Sequence, residues 1–156
     1  MSTPTVLDAT AMLRGAGLRV TNTRVAVIET LQDMPHSGVD ALVPRVELRV
    51  PTTSRQAVYN ALGDLVGAGL VRRIEPAGHP GLYELRVGDN HHHIVCQRCG
   101  AVADVECVTG HAPCLTPGDT GGFDLAEAEV TFWGVCADCT ATSTATASAA
   151  VPAATH

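Results

Sequence analysis

The first half of the chain is patterned for helices. Val6, Leu7, Ala9, Met12 and Leu13 make one apolar stripe, so the spacing predicts a helix over Val6–Leu13, ended by Gly15 and Gly17. Thr21 then precedes Val25, Ile28 and Leu31, which predicts a second helix from about Asn22 to Met34, stopped by Pro35. Ser37-Gly38-Val39-Asp40 fits a helix start, with Ala41, Leu42, Val46 and Val50 as the apolar face. Pro44 falls inside this third helix. An interior proline costs about 3 kcal/mol, so a late start or a bend is expected there. Thr53-Ser54-Arg55-Gln56 reads as a capping box with Thr53 as the cap, ahead of a stripe of Val58, Ala61, Leu62 and Leu65 closed by Gly67 and Gly69. Leu70–Ile74 and Leu82–Leu85 flank the turn-rich segment Pro76–Gly81, which predicts a β-hairpin. Three or four short helices followed by a hairpin describe a winged helix-turn-helix.

The second half is patterned differently. His91–Cys96 and Ala101–Glu106 are short extended runs, and the 36 residues between Cys99 and Cys136 have room for a strand-loop-strand unit. After Thr140 the chain is a low-complexity Ala/Thr/Ser run without apolar period, which predicts disorder. With 46% hydrophobic but only 3% aromatic residues, any core must come from Val, Leu, Ile and Ala. No apolar run approaches the ~18 residues of a membrane span, and Met1–Asp8 lacks the basic-then-apolar pattern of a signal peptide. A soluble cytoplasmic protein without a membrane partner is therefore expected.

Charge divides the chain near Gly88. The net charge is −6 and all ten basic residues are Arg. Residues 1–86 hold nine Arg against eight acids, a balance of +1; residues 87–156 hold one Arg against eight acids, a balance of −7. The acidic half also contains all six cysteines and five of the seven histidines, a composition that gains charge balance by binding cations.

Both halves carry candidate chemistry. The polar face of the fourth helix, with Ser54, Arg55, Gln56, Tyr59 and Asn60, suits base edges and phosphates in a DNA groove, although a helical bundle with a solvated face has the same pattern. Cys96-Gln97-Arg98-Cys99 and Cys136-Ala137-Asp138-Cys139 are two Cys-x-x-Cys pairs, the arrangement of a closed structural Zn²⁺ site; reduced, separately buried pairs are the alternative. In a strand, His91 and His93 face one way and His92 the other. Two imidazoles with a carboxylate from Asp104 or Glu84 make a metal site suited to Fe²⁺, Mn²⁺ or Zn²⁺, against the plainer reading of an exposed polar strand. His36 alone reads as a surface residue. Cys107 and Cys114 can pair on oxidation, bind metal with His111 between them, or serve simply as small core residues.

Together these pieces resemble the ferric uptake regulator superfamily over about Leu13 to Cys139. The carriers are Gly17-Leu18-Arg19-Val20-Thr21, Ser54-Arg55-Gln56-Ala57-Val58-Tyr59, Gly69-Leu70-Val71, and above all His91-His92-His93-Ile94-Val95-Cys96-Gln97-Arg98-Cys99-Gly100, followed by Asp104 and Cys136/Cys139. Val87-Gly88-Asp89-Asn90, Ala112-Pro113-Cys114-Leu115 and Glu127-Ala128-Glu129-Val130 are similar to the actinobacterial branch, which includes peroxide- and iron-responsive repressors of catalase-peroxidase genes. The resemblance implies an α+β chain: a winged-helix domain over 1–86, a hinge at 87–90, an α/β metal-binding dimerisation domain over 91–140 and a disordered tail over 141–156. It implies structural Zn²⁺ on Cys96, Cys99, Cys136 and Cys139, and regulatory Fe²⁺ or Mn²⁺ on His36, Glu84, His91, His93 and Asp104. His92 and His111 remain as additional metal ligands, Cys107 and Cys114 as redox thiols, and Arg19 and Tyr59 as DNA contacts within the polar set above. Asn60 stands where many relatives have Arg, so the operator cannot be borrowed from them. Glu84, seven residues before His91, has the spacing of the iron regulators. The implied function is a homodimeric, metal-switched, peroxide-responsive repressor on a palindromic operator, with iron- or manganese-level sensing as the alternative. A zinc enzyme, with a small-molecule substrate, is opposed by the lack of a His-Glu-x-x-His helix and of a His-x-Glu ahead of a Pro-Cys-x-x-Cys run.

Overall fold

The computed structural model describes residues 7–85, 91–108, 114–126 and 128–148. The expected hinge at 87–90, His111 and the end of the tail lie outside the described residues. Two compact units, Met1–Gly88 and Asp89–His156, make up the chain. Among the described residues, no helix is long and apolar enough to cross a membrane.

The first unit is four helices and a hairpin. Helix α1 spans Ala9–Gly15, later than the apolar stripe suggested, because the Asp8 carboxylate accepts from the N–H groups of Thr10 and Ala11 and fixes the start. Helix α2 spans Asn22–Asp33 and is capped by the Thr21 hydroxyl. Helix α3 spans Val39–Arg49 and runs through Pro44 without a break. The bond that proline cannot make is to the Asp40 carbonyl four residues back, and both residues lie on the exposed face, where water can take the vacant acceptor. Gly38 rather than Ser37 is the cap, since the Ser37 hydroxyl donates back to the Met34 carbonyl at 2.8 Å. Val43 replaces the expected Ala41 in the buried face.

Helix α4 spans Arg55–Gly67, and its cap is Ser54, one residue later than expected. The Ser54 hydroxyl accepts from Ala57 N–H at 3.2 Å, while Thr53 pairs with the Thr23 hydroxyl at 3.1 Å and Gln56 turns to Asn60. Val58, Ala61, Leu62 and Leu65 all point into the core with Leu13, Val27, Ile28, Leu31, Leu42 and Val46. Strands β1 (Val71–Ile74) and β2 (Leu82–Leu85) form the expected antiparallel hairpin.

The second unit is a three-stranded sheet in which β3 (His91–Cys96) is central. Strand β4 (Val102–Glu106) pairs antiparallel on one side and β5 (Thr131–Gly134) parallel on the other. The 36-residue spacer therefore supplies β4 and β5 with a long connection between them. Helix α5 spans Ala137–Ser148, where disorder was expected from 141. Alanine favours helix even without an apolar stripe, and Asp138 in the first turn complements the helix N-terminus. Apart from Val95 and Cys96, this unit buries no apolar side chain among the described residues; Ile94, Phe123, Phe132, Trp133 and Val135 are exposed. A sheet with so little core of its own needs a staple, a partner, or both.

Candidate metal centres and nucleic-acid face

In the first unit, burial of one face of α4 leaves the other open. Arg55, Gln56, Tyr59 and Asn60 are exposed on it, beside the exposed cap Ser54. Helix α3 and the five-residue turn 50–54 lead into α4, the order of a helix-turn-helix. Arg55 pairs with Asp40 at 2.8 Å, and that carboxylate raises the guanidinium above its ordinary value. An exposed pair of this kind contributes little, so a phosphate can take over the guanidinium. Arg19 is exposed in the segment before α2, where its carbonyl accepts from Arg24.

The same unit places His36 and Glu84 together. Ser37 and Tyr83 exchange backbone hydrogen bonds of 3.2 and 2.9 Å, stitching the loop after α2 to β2. His36 precedes this bridge and adopts φ +56°, a left-handed conformation that costs a non-glycine residue of order 1–3 kcal/mol. The result is a contact of 2.8 Å between His36 Nε2 and Glu84 Oε2, with Glu84 buried. Sequence spacing alone gives no sign of this pairing, because the residues come from a helix-end loop and a strand; the family resemblance is what names both in one ligand set.

In the second unit, the alternation of β3 puts His91 and His93 on one face. Their rings meet edge-on with centroids 5.0 Å apart. Asp104, opposite His93 in the β3–β4 register, has Oδ1 3.6 Å from His91 Nε2 and 3.7 Å from His93 Nε2. Two imidazoles and a carboxylate thus converge as their spacing suggested.

Both Cys-x-x-Cys pairs form tight turns at strand ends. Cys96 closes β3, and Gly100 at φ +75° lets the chain reverse so that Cys96 and Ala101 pair. Gln97 N–H donates to the Gly134 carbonyl, tying this turn to β5. Cys136 and Cys139 flank the start of α5, whose N-terminus favours negative sulfur. The four Sγ atoms lie within 4.8 Å of one another, with Cys99 and Cys136 3.7 Å apart. Thiolates about 2.3 Å from a tetrahedral zinc lie about 3.8 Å apart, so the donor set fits that ion. Backbone N–H groups of Cys136, Cys99 and Arg98 pull the Cys96 thiol down to about 6, whereas the neighbouring thiols of Cys136 and Cys99 push Cys139 up to about 12. Crowded thiols of this kind are what a dication relieves.

A third group was not foreseen as a unit. His92, on the other face of β3, lies with Cys107 and Cys114, their ligand atoms within 4.8 Å of one another. Burial, and then Cys107, raise the Cys114 thiol. From the sequence, His111 is the expected metal partner both of His92 and of the two thiols; His111 lies outside the described residues.

Residues 15–132 match the ferric uptake regulator family. The transcriptional regulator FurA of Mycobacterium tuberculosis is 53% identical over 137 residues, covering 88% of this chain and 93% of that protein. Ferric uptake regulation protein 1 of Mycolicibacterium fortuitum is 53% identical over 127 residues, covering 81% and 79% respectively. Among solved structures, the Campylobacter jejuni peroxide stress regulator superposes with a TM-score of 0.65 at 23% identity, covering 85% of this chain and 100% of that one. The Vibrio cholerae ferric uptake regulator does so at 0.62 and 24%, covering 83% and 100%. A winged-helix unit, a sheet with four converging cysteines and a histidine-rich central strand thus agree with both comparisons: the chain belongs to the ferric uptake regulator family.

Proposed function

We propose that the chain is a metal-dependent, peroxide-responsive transcriptional repressor that binds a pseudo-palindromic operator in double-stranded DNA as a homodimer, acting on catalase-peroxidase and other oxidative-stress genes. It is a regulator and not an enzyme. One observation carries the reading: a single sheet holds two ligand sets of different chemistry, four thiols at one end of β3 and His91, His93 and Asp104 at the other. The all-sulfur set suits a closed structural Zn²⁺, and the nitrogen–oxygen set suits Fe²⁺ or Mn²⁺.

In this reading Cys96, Cys99, Cys136 and Cys139 hold zinc and staple a unit with little core. His36 and Glu84 complete the regulatory set with His91, His93 and Asp104. Ligands drawn from both units let metal favour one arrangement of the chain, and only through its stronger binding to that arrangement. Moving the equilibrium from 1:99 to 99:1 takes about 5.5 kcal/mol of such preference. When bound, Fe²⁺ supplies a one-electron reductant for hydrogen peroxide, a chemistry Mn²⁺ performs poorly. Oxidation of the His36 or His91 imidazole removes a donor and with it the preference for the DNA-competent form. Since residues 1–86 carry a balance of only +1, phosphate affinity comes from the local Arg19 and Arg55 face, doubled by the dimer.

The test is a band-shift of the Fe²⁺ and Mn²⁺ forms with and without peroxide, joined to mass spectrometry of the His36 and His91–His93 peptides. Release of the iron form alone, with oxygen added to a histidine, is the expected result. Equal release of both forms, with a new disulfide and unmodified histidines, would move the sensor to the cysteines. The spacing of Glu84, seven residues before His91 as in the iron regulators, favours a second reading, a repressor sensing iron or manganese level, in which peroxide releases neither form.

A further inference from the structure

The structure brings together three residues that the family reading keeps apart. His92 is 8% exposed and, by strand alternation, faces away from His91 and His93. Its Nε2 lies 3.1 Å from Cys114 Sγ, and Cys107 Sγ completes a set whose atoms all lie within 4.8 Å. The partners arrive from separate directions. Val105 is opposite His92 in the β3–β4 register, so Cys107 follows just beyond the end of β4. On the β5 side, Phe132 meets the His92 ring edge-on at 6.4 Å between centroids. An imidazole and two thiols therefore converge on one point.

We propose that His92, Cys107 and Cys114 form a thiolate metal centre, separate from the four-cysteine cluster, that takes a thiophilic d¹⁰ cation, Zn²⁺ or Cu⁺. Two thiolates supply charge for the cation, and sulfur with imidazole selects these ions over Fe²⁺ and Mn²⁺. Ligand spacing fits: donors about 2.0 Å (nitrogen) and about 2.3 Å (sulfur) from a tetrahedral zinc lie about 3.5 Å apart, a small opening of the present 3.1 Å contact. Three protein ligands complete a trigonal Cu⁺ site or leave one position of a Zn²⁺ site open. The centre stands whether or not the chain responds to peroxide.

The experiment uses the full-length chain, zinc-loaded at the four-cysteine cluster and kept reduced and anaerobic, titrated with Co²⁺ while its zinc content is followed. Sulfur-to-cobalt charge-transfer absorption then reports a thiolate site other than that cluster, since the set of His36, Glu84, His91, His93 and Asp104 contains no sulfur. One further equivalent of cobalt with this absorption is expected. Losing a group that only supports a ligand costs about 10–100-fold in metal affinity, so Cys107→Ser and Cys114→Ser are expected to weaken Co²⁺ binding by about 100-fold or more. Alkylation of the unsubstituted protein, mapped by mass spectrometry, needs no variant: Zn²⁺ or Cu⁺ should protect Cys107 and Cys114. Displacement of Co²⁺ by Zn²⁺ identifies a zinc centre, and retention of Cu⁺ against a bicinchoninate competitor identifies a copper centre. Absence of the charge-transfer band with zinc retained, or equal alkylation of both thiols with and without metal, would overturn the proposal.

Discussion

If the four thiols hold zinc as proposed, removing it should unfold one unit and spare the other. The perturbation is Cys99→Ser, or chelation of the unsubstituted chain. All but two of the buried apolar side chains lie in residues 9–85, and in the second unit only Val95 and Cys96 are buried among the described residues. A core in a unit this small rarely supplies more than about 3–5 kcal/mol. A structural zinc on thiolates contributes about 10–16 kcal/mol in small metal-dependent folds, so its loss exceeds anything the sheet retains. The helices of 7, 12, 11 and 13 residues in the first unit outweigh the 12 of α5, leaving about four-fifths of the helical residues untouched. Far-ultraviolet circular dichroism should therefore lose no more than about a fifth of its helical signal. Trp133, the single tryptophan, lies on β5 and reports only on the second unit, so its emission should shift to the red as sedimentation shows the dimer coming apart. An unchanged Trp133 spectrum in a zinc-free dimer would refute the staple. Loss of more than half the helical signal would refute the placement of an independent core in the first unit.

Further outcomes test the other assignments. Arg19→Ala should weaken DNA binding across all sequences and flatten the dependence of log affinity on log salt by about one per lost phosphate contact; an unchanged slope removes Arg19 from the interface. Tyr59→Ala should instead blur preference at particular base pairs, read by binding to a panel of singly substituted operators. His93→Ala should abolish Mn²⁺-dependent operator binding with zinc content and dimer intact; a variant still switched by Mn²⁺ would place the regulatory ion elsewhere. Leu62→Ala, at a position 1% exposed in the first core, should cost about 2–5 kcal/mol in denaturant unfolding monitored by circular dichroism.

The helices and hairpin of the first unit were legible because their signals are local: a cap, a stripe of period 3.6, a glycine stop. Misplacements came where a local signal met a competitor. Thr53 lost the cap of α4 to Ser54 because Thr23 offered its hydroxyl a partner from another helix. Pro44 failed to break α3 because the vacant acceptor faces water. In the second unit, both Cys-x-x-Cys pairs and the alternation of His91 and His93 were readable from spacing alone. The contact of His36 with Glu84 was not, since it depends on a bridge between a loop and a strand 46 residues further on. Nor was the meeting of His92, Cys107 and Cys114, which needs the register of β4 against β3.

Strand β3 explains why such different donors occupy neighbouring positions in the sequence. With a period of two, His91 and His93 share one face with a carboxylate across the β4 pair, while His92 and Cys96 share the other with sulfur. Nitrogen and oxygen donors suit harder ions and thiolates suit softer ones. Sorting them to opposite faces would keep Fe²⁺ or Mn²⁺ from competing for the thiols, although only a few residues separate the two sets. The same geometry makes the strand intolerant of slippage. A shift of one residue moves every side chain to the other face, placing His92 beside Asp104 and turning His91 and His93 toward the thiols. Pairing on both sides, antiparallel to β4 and parallel to β5, holds the register against this. In a unit that buries so few side chains, the backbone ladder and the zinc proposed for the four thiols at the end of β3 would together hold the histidines in place. Removal of zinc should therefore also disperse the His91, His93 and Asp104 set, so that Mn²⁺ affinity at that set falls even though none of its ligands has been touched.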